Sequence, residues 1–139
     1  VLLLDAGDFS QGTPFYNFFF GRIEVDALNR MRYDAVTLGN HEFDNGIDTL
    51  AAILRDAKFP LISSNYKVEN SLLKDLVKSH LVLKRFGLTI GIMALNVQPK
   101  GLIFDKNYIG VDYVDPIETA NKTAQYLRKQ KKCDEDIFI

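Results

Sequence analysis

An α/β fold built from parallel βαβ units is what this sequence predicts, and three observations carry it. Apolar runs alternate with helical periodicity from Val1 to Asn65, in the order strand, helix, strand, helix, strand. Each apolar run stops abruptly in polar residues: DAGD after Val1–Leu4, GNHEFD after the run ending at Leu38, and SSN within LISSN. Ligands in parallel sheets gather outside the carboxyl ends of the strands. The three polar stops are therefore where a site is expected.

The elements follow in order. Val1–Leu4 is a continuous apolar run, as in a strand buried on both faces. Thr13 and Pro14 form a plausible helix entry. In the segment from Ile23 to Tyr33, Ile23, Ala27, Leu28 and Met31 recur at helical spacing. Asp34–Leu38 reads as a second strand, and Ile47–Phe59 as a helix with Leu50, Ile53, Leu54 and Ala57 on one face and Pro60 at its end. LISSN is the third strand. Two β-rich runs between His80 and Leu95 flank RFGL, a hairpin signal. The stretch NVQPKGLIFDKNYIG carries Pro and Gly and reads as a surface loop. A helix then starts with Asp115 as cap, Pro116 at the first helical position and Glu118 placed for a capping box. Its apolar stripe is Ala120, Thr123, Ala124 and Leu127. DEDIFI opens another strand.

Composition narrows the classes. The chain has 139 residues, enough for one modest domain, and its 47% hydrophobic and 25% charged content is that of a globular protein. A net charge of -1 argues against a nucleic-acid polymer as partner, since phosphate neutralisation needs excess cations. The basic cluster LRKQKK, Leu127 to Lys132, reads as the solvated end of a helix, where cations are favoured. One cysteine, Cys133, excludes an intrachain disulfide and a cysteine-rich zinc site. No apolar run approaches the roughly 18 residues of a membrane span. The first residue is Val, and the last ones switch from acidic to apolar in mid-strand. A partial domain over residues 1–139, cut at both ends, is expected.

Two polar clusters carry the chemistry. In DAGDFSQGTP, Asp8 follows Gly7 at a strand end, where a carboxylate on a tight turn suits a hard or borderline divalent metal or bridges two. In GNHEFD, Asn40 offers a neutral oxygen and His41 a nitrogen or a proton. Asp44, three residues on, can accept an imidazole N–H, fixing the tautomer and raising the basicity of the ring. Glu42 is expected to cap or pair locally. His80, the other histidine, falls on a β-like run and reads as structural.

Together these segments resemble the calcineurin-like metallophosphoesterases, and most closely their 5'-nucleotidase branch, whose members carry G-D-x-x-Q-G-T and G-N-H-E-F-D. They stand here as GDFSQGTP, Gly7 to Pro14, and GNHEFDNG, Gly39 to Gly46. VDALNRMRYDAVTL and RFGLTIGIMAL are similar to that branch as well, so the resemblance spans most of the chain. It implies a two-sheet αββα sandwich and a dinuclear site of two divalent ions, zinc, manganese or similar. Carried over residue by residue, Asp8 matches the bridging carboxylate, Asn40 an amide ligand of the second metal, His41 the non-ligand histidine beside the scissile phosphate, and Asp44 its dyad partner. The implied reaction is hydrolysis of a phosphomonoester, with a nucleotide as substrate, in a periplasmic, cell-surface or secreted protein. The family's D-x-H motif, its later ligand histidine and its G-H-x-H motif are not in this chain, so the 139 residues alone are expected to be inactive. Two other readings stay open: a phosphoesterase of another substrate class, such as a cyclic nucleotide or nucleotide sugar, and a non-catalytic phosphate-binding or scaffold module.

Overall fold

The computed structural model describes all residues, Val1–Ile139. Its strands are β1 (Leu4–Asp5), β2 (Ala35–Val36), β3 (Leu61–Ile62), β4 (Tyr66–Lys67), β5 (Val77–Lys78), β6 (Leu81–Arg85), β7 (Leu88–Met93), β8 (Asp112–Tyr113) and β9 (Glu135–Phe138). Its helices are α1 (Pro14–Phe19), α2 (Arg22–Met31), α3 (Gly46–Leu54) and α4 (Pro116–Gln130), with short 3-10 turns at His41–Phe43 and Asp105–Asn107. No helix is long and apolar enough to cross a membrane.

Strand alternation builds the layers. One sheet is wholly parallel, ordered β1–β2–β3–β5. Neighbouring residues of its strands point to opposite faces. Val36, Leu61 and Val77 enter a core with Val25 and Leu28 of α2 and Leu50, Ala51 and Leu54 of α3. Ala35 and Ile62 turn the other way and meet Ile90 and Ile92 of a second sheet, ordered β6–β7–β9. Leu127 of α4 is fully buried, and α4 packs on β7 and β9. The layers run α2/α3, parallel sheet, mixed sheet, α4: the expected αββα sandwich.

Several boundaries differ from the sequence reading. The first strand is Leu4–Asp5, paired with β2 and half-buried where burial on both faces was expected, and Val1 lies outside it. Helix α2 buries Val25 and Leu28, whereas Ile23 and Met31 are exposed and flank the buried face. Helix α3 stops at Leu54, well before Pro60; Asp56 and Ala57 donate to Ile53 and Leu54 in tighter turns, and the Pro60 carbonyl accepts from Val36 N–H. The 96–110 segment is not wholly superficial, since Asn96, Ile103 and Asn107 are buried. The RFGL turn closes the β6–β7 hairpin with positive φ at both Phe86 and Gly87, the hand that matches strand twist. Asp115 caps α4 by accepting from Glu118 N–H at 2.8 Å, but Glu118 does not complete the box; its carboxylate pairs with Lys122 at 2.5 Å. At the far end, Arg128 reaches the buried Asp136 carboxylate at 2.5 Å, while the lysines around it are solvated.

Candidate active site

The ends of β1 and β2 are adjacent in the parallel sheet, so the loops that leave them touch. Gly7 and Gly39 make the contact possible. A Cβ on Gly7 would sit 2.4 Å from Gly39 N, and Gly7 also has φ +90°, a conformation side-chain-bearing residues resist. A Cβ on Gly39 would sit 2.0 Å from Asp8 Oδ1. Asp8 itself is left-handed, φ +58°. That turn carries its carboxylate onto the GNHE loop, where Oδ1 accepts from His41 N–H at 3.1 Å. Asp8 therefore lies beside Asn40, whose side chain makes no capping bond and is left available.

Glu42 does more than the local capping expected of it. Its side chain is buried and accepts from Asp8 N–H (2.8 Å), Gly39 N–H (2.5 Å), Ser10 N–H (3.1 Å) and Ser10 Oγ–H (3.0 Å). One carboxylate thus ties both loops together. Burial pushes its pKa up, and the four donors pull it back only in part. The glutamate is visible in the sequence, but three of its four bonds go to residues more than thirty positions away. No local pattern could announce them.

His41 and Asp44 meet as the spacing allowed. The 3-10 turn at His41–Phe43 brings Nδ1 to 2.9 Å from Asp44 Oδ2. That hydrogen bond raises the imidazole pKa above its ordinary value, with burial opposing it. Because Nδ1 is engaged, Nε2 is the nitrogen left to meet a ligand. Two further residues support the loop. Asn107 Nδ2 donates to the Asp44 carbonyl at 3.1 Å, and Asn45 Nδ2 donates to Tyr16 Oη at 2.5 Å. His80 is elsewhere, edge-to-face on Tyr126 with ring centroids 5.3 Å apart.

Beneath the loop lies a buried polar layer at the ends of β2, β3 and β7. Thr37 Oγ donates to the Ile62 carbonyl at 2.7 Å and accepts from Asn96 Nδ2 at 3.1 Å. Asn96 Nδ2 also donates to the Leu38 carbonyl, and its Oδ1 accepts from Ser63 Oγ. Asn96 and Asn65 exchange backbone and side-chain bonds at 2.7 and 2.8 Å. Asn96 lay in the stretch read as a loop, and nothing in its neighbours marks it.

Asp8 and Asn40 offer two oxygen donors, a carboxylate and an amide, suited to a hard or borderline divalent cation. No three His, Cys, Asp or Glu side chains cluster closely enough to hold an ion. The donors fit a share of a metal set and do not complete one.

Motif-bearing loops at adjacent strand ends over an αββα sandwich define the class as a calcineurin-like phosphoesterase fold. A calcineurin-like phosphoesterase of Bacillus subtilis superposes with a TM-score of 0.74 at 26% identity, over 99% of this chain and 47% of that one. No family model matches the chain. A 5'-nucleotidase precursor of Thermus thermophilus superposes with a TM-score of 0.87 at 35% identity, covering 99% of this chain and 27% of its own. The snake venom 5'-nucleotidase of Naja atra is 47% identical over 131 residues, 91% of this chain and 25% of that protein. The chain belongs to the 5'-nucleotidase branch of the calcineurin-like phosphoesterases. It spans about a quarter of the length of the curated relatives it matches.

Proposed function

We propose that the whole protein hydrolyses nucleotide phosphomonoesters, and that these residues form part of its catalytic domain. The observation that supports this most is the His41–Asp44 pair held beside Asp8 and Asn40 at the sheet's ligand-binding edge. Asp8 and Asn40 would hold divalent ions, together with donors this chain does not supply. Bound ions supply charge stabilisation of the phosphoryl oxygens and a lower pKa for attacking water. In hydrolysis a water oxygen bonds to phosphorus, the bond to the ester oxygen breaks, and that departing oxygen needs a proton or a hydrogen bond. His41 is built to give it: Asp44 holds Nδ1 and favours the protonated ring, which presents Nε2–H outward. Glu42 holds the two loops in one arrangement so that little reorganisation is left for the reaction itself. A location outside the cytoplasm is part of the proposal, supported by the kinship with a snake venom protein.

The test is phosphate release from nucleoside 5'-monophosphates by the whole protein, loaded with manganese or zinc and then stripped by chelator. Release that is lost with the metal is expected. Turnover of another phosphoester class alone would overturn the nucleotide assignment, and no phosphoester turnover by metal-loaded protein would overturn the enzyme assignment. His41→Ala should keep its metal and lose about a hundredfold or more in kcat; loss of metal would instead make His41 a ligand. The 139-residue chain alone should release no phosphate, because it brings too few donors to retain ions.

A further inference from the structure

From the buried polar layer we infer that Asn96 is a positioning residue for the site, acting through the Leu38–Gly39 peptide. Both polar groups of that one peptide are held. Its carbonyl accepts from Asn96 Nδ2, and its N–H donates to Glu42 Oε2 at 2.5 Å. Its plane also lies against Gly7, where even a Cβ would come within 2.7 Å of the Leu38 carbonyl carbon. Asn40 and His41 follow immediately, so the tilt of this peptide sets where the amide oxygen and the imidazole start.

Asn96 suits the task because every part of it is committed. One amide hydrogen goes to Leu38 and the other to Thr37 Oγ, Oδ1 takes Ser63 Oγ–H, and the backbone N–H and C=O are bound by Asn65. The residue is 6% exposed, so water cannot replace a lost partner. Asn96 follows β7 of the mixed sheet, whereas Leu38 follows β2 of the parallel sheet. It therefore registers one sheet against the other where the loop emerges. Aspartate has the same shape and no Nδ2 donors. It would turn a carboxylate oxygen toward the Leu38 carbonyl, and that peptide would rotate away.

The kinetic part of this inference rests on the phosphoesterase reading; the structural part does not. The experiment compares Asn96→Asp, Asn96→Ser and Ile92→Val in the whole protein. Ile92→Val is a control that loosens the inter-sheet core without touching the Leu38–Gly39 peptide. Hydrogen exchange over residues 37–44 should accelerate at least about tenfold in both Asn96 variants and stay near the original in Ile92→Val. In the metal-loaded enzyme, kcat should fall about tenfold to a hundredfold in Asn96→Asp, the scale of a misplaced catalytic group. KM should stay within about threefold, and Asn96→Ser, which keeps a hydroxyl donor, should recover part of the loss. Unchanged exchange over 37–44 in a folded Asn96 variant would overturn the inference, as would equal acceleration in the Ile92→Val control. If the unsubstituted protein turns over no phosphoester, the phosphoesterase reading falls, and the exchange comparison still decides the role of Asn96.

Discussion

His41 and Asp44 show how much one hydrogen bond at 2.9 Å can set. It selects the tautomer, frees Nε2 and raises the pKa of the ring. A histidine whose folded pKa is raised gains stability that is complete below its unfolded pKa and lost as pH rises through the folded value. The ring is 37% exposed, so solvent screening keeps that stability gain small. The effect to measure is the titration itself. By NMR, His41 should titrate above the ordinary imidazole value, and Asp44→Asn should bring it back down; identical titrations would dissolve the pair. In kinetics, Asp44→Asn should lose less than His41→Ala, and the double variant little more than His41→Ala alone, because the two act as a unit. Fully additive losses would mean two independent roles. Glu42 invites a different test. Glu42→Gln keeps the shape but turns an NH2 group toward two of the four donors, whichever oxygen it replaces. A loss of about 1–3 kcal/mol in urea unfolding is expected, and an unchanged midpoint would show that the carboxylate ties nothing together.

At the scale of elements, the two loops are usable because two glycines let them approach. Gly39→Ala would drive a methyl into the Asp8 carboxylate. Overpacking of this kind costs about 1–3 kcal/mol, and here relief must come from moving Asp8, so metal content of the whole protein should fall along with stability. Retained metal and stability would mean the loops have slack. Helix α4 offers a cleaner measurement, away from the site. Asp115→Ala removes the acceptor of Glu118 N–H and should cost about 1 kcal/mol by unfolding. Glu118→Ala should cost less, because Glu118 spends its carboxylate on an exposed pair with Lys122 and not on the reciprocal capping bond.

The whole molecule depends on the mixed sheet sitting between the parallel sheet and α4. Ile92 is fully buried in the core between the sheets, where Ala35 and Ile62 face it. Ile92→Ala should cost about 2–5 kcal/mol. A single domain of this size unfolds as one cooperative unit, so thermal melting followed at the site and in the bulk should shift together. A site that melts on its own, well below the rest, would show that the loops are not coupled to the inter-sheet core.

Local chemistry was legible from residues close in sequence. Asp115 and Pro116 mark a helix start, Phe86 and Gly87 a hairpin turn, and the abrupt polar stop after Leu38 the end of a buried strand. The His41–Asp44 pair was legible for the same reason, being three residues apart on a single turn. The limits of α2 and α3 were not, since periodicity shows a face and its burial depends on what packs there. Glu42, bonded to Asp8 and Ser10 over 34 and 32 positions, and Asn96, bonded to Thr37 and Leu38 over 59 and 58, could not be assigned at all. Only tertiary structure decided them: a buried polar side chain must take whichever donor or acceptor the packed sheets bring to it, and sheet packing is a relation between distant segments that no local pattern records.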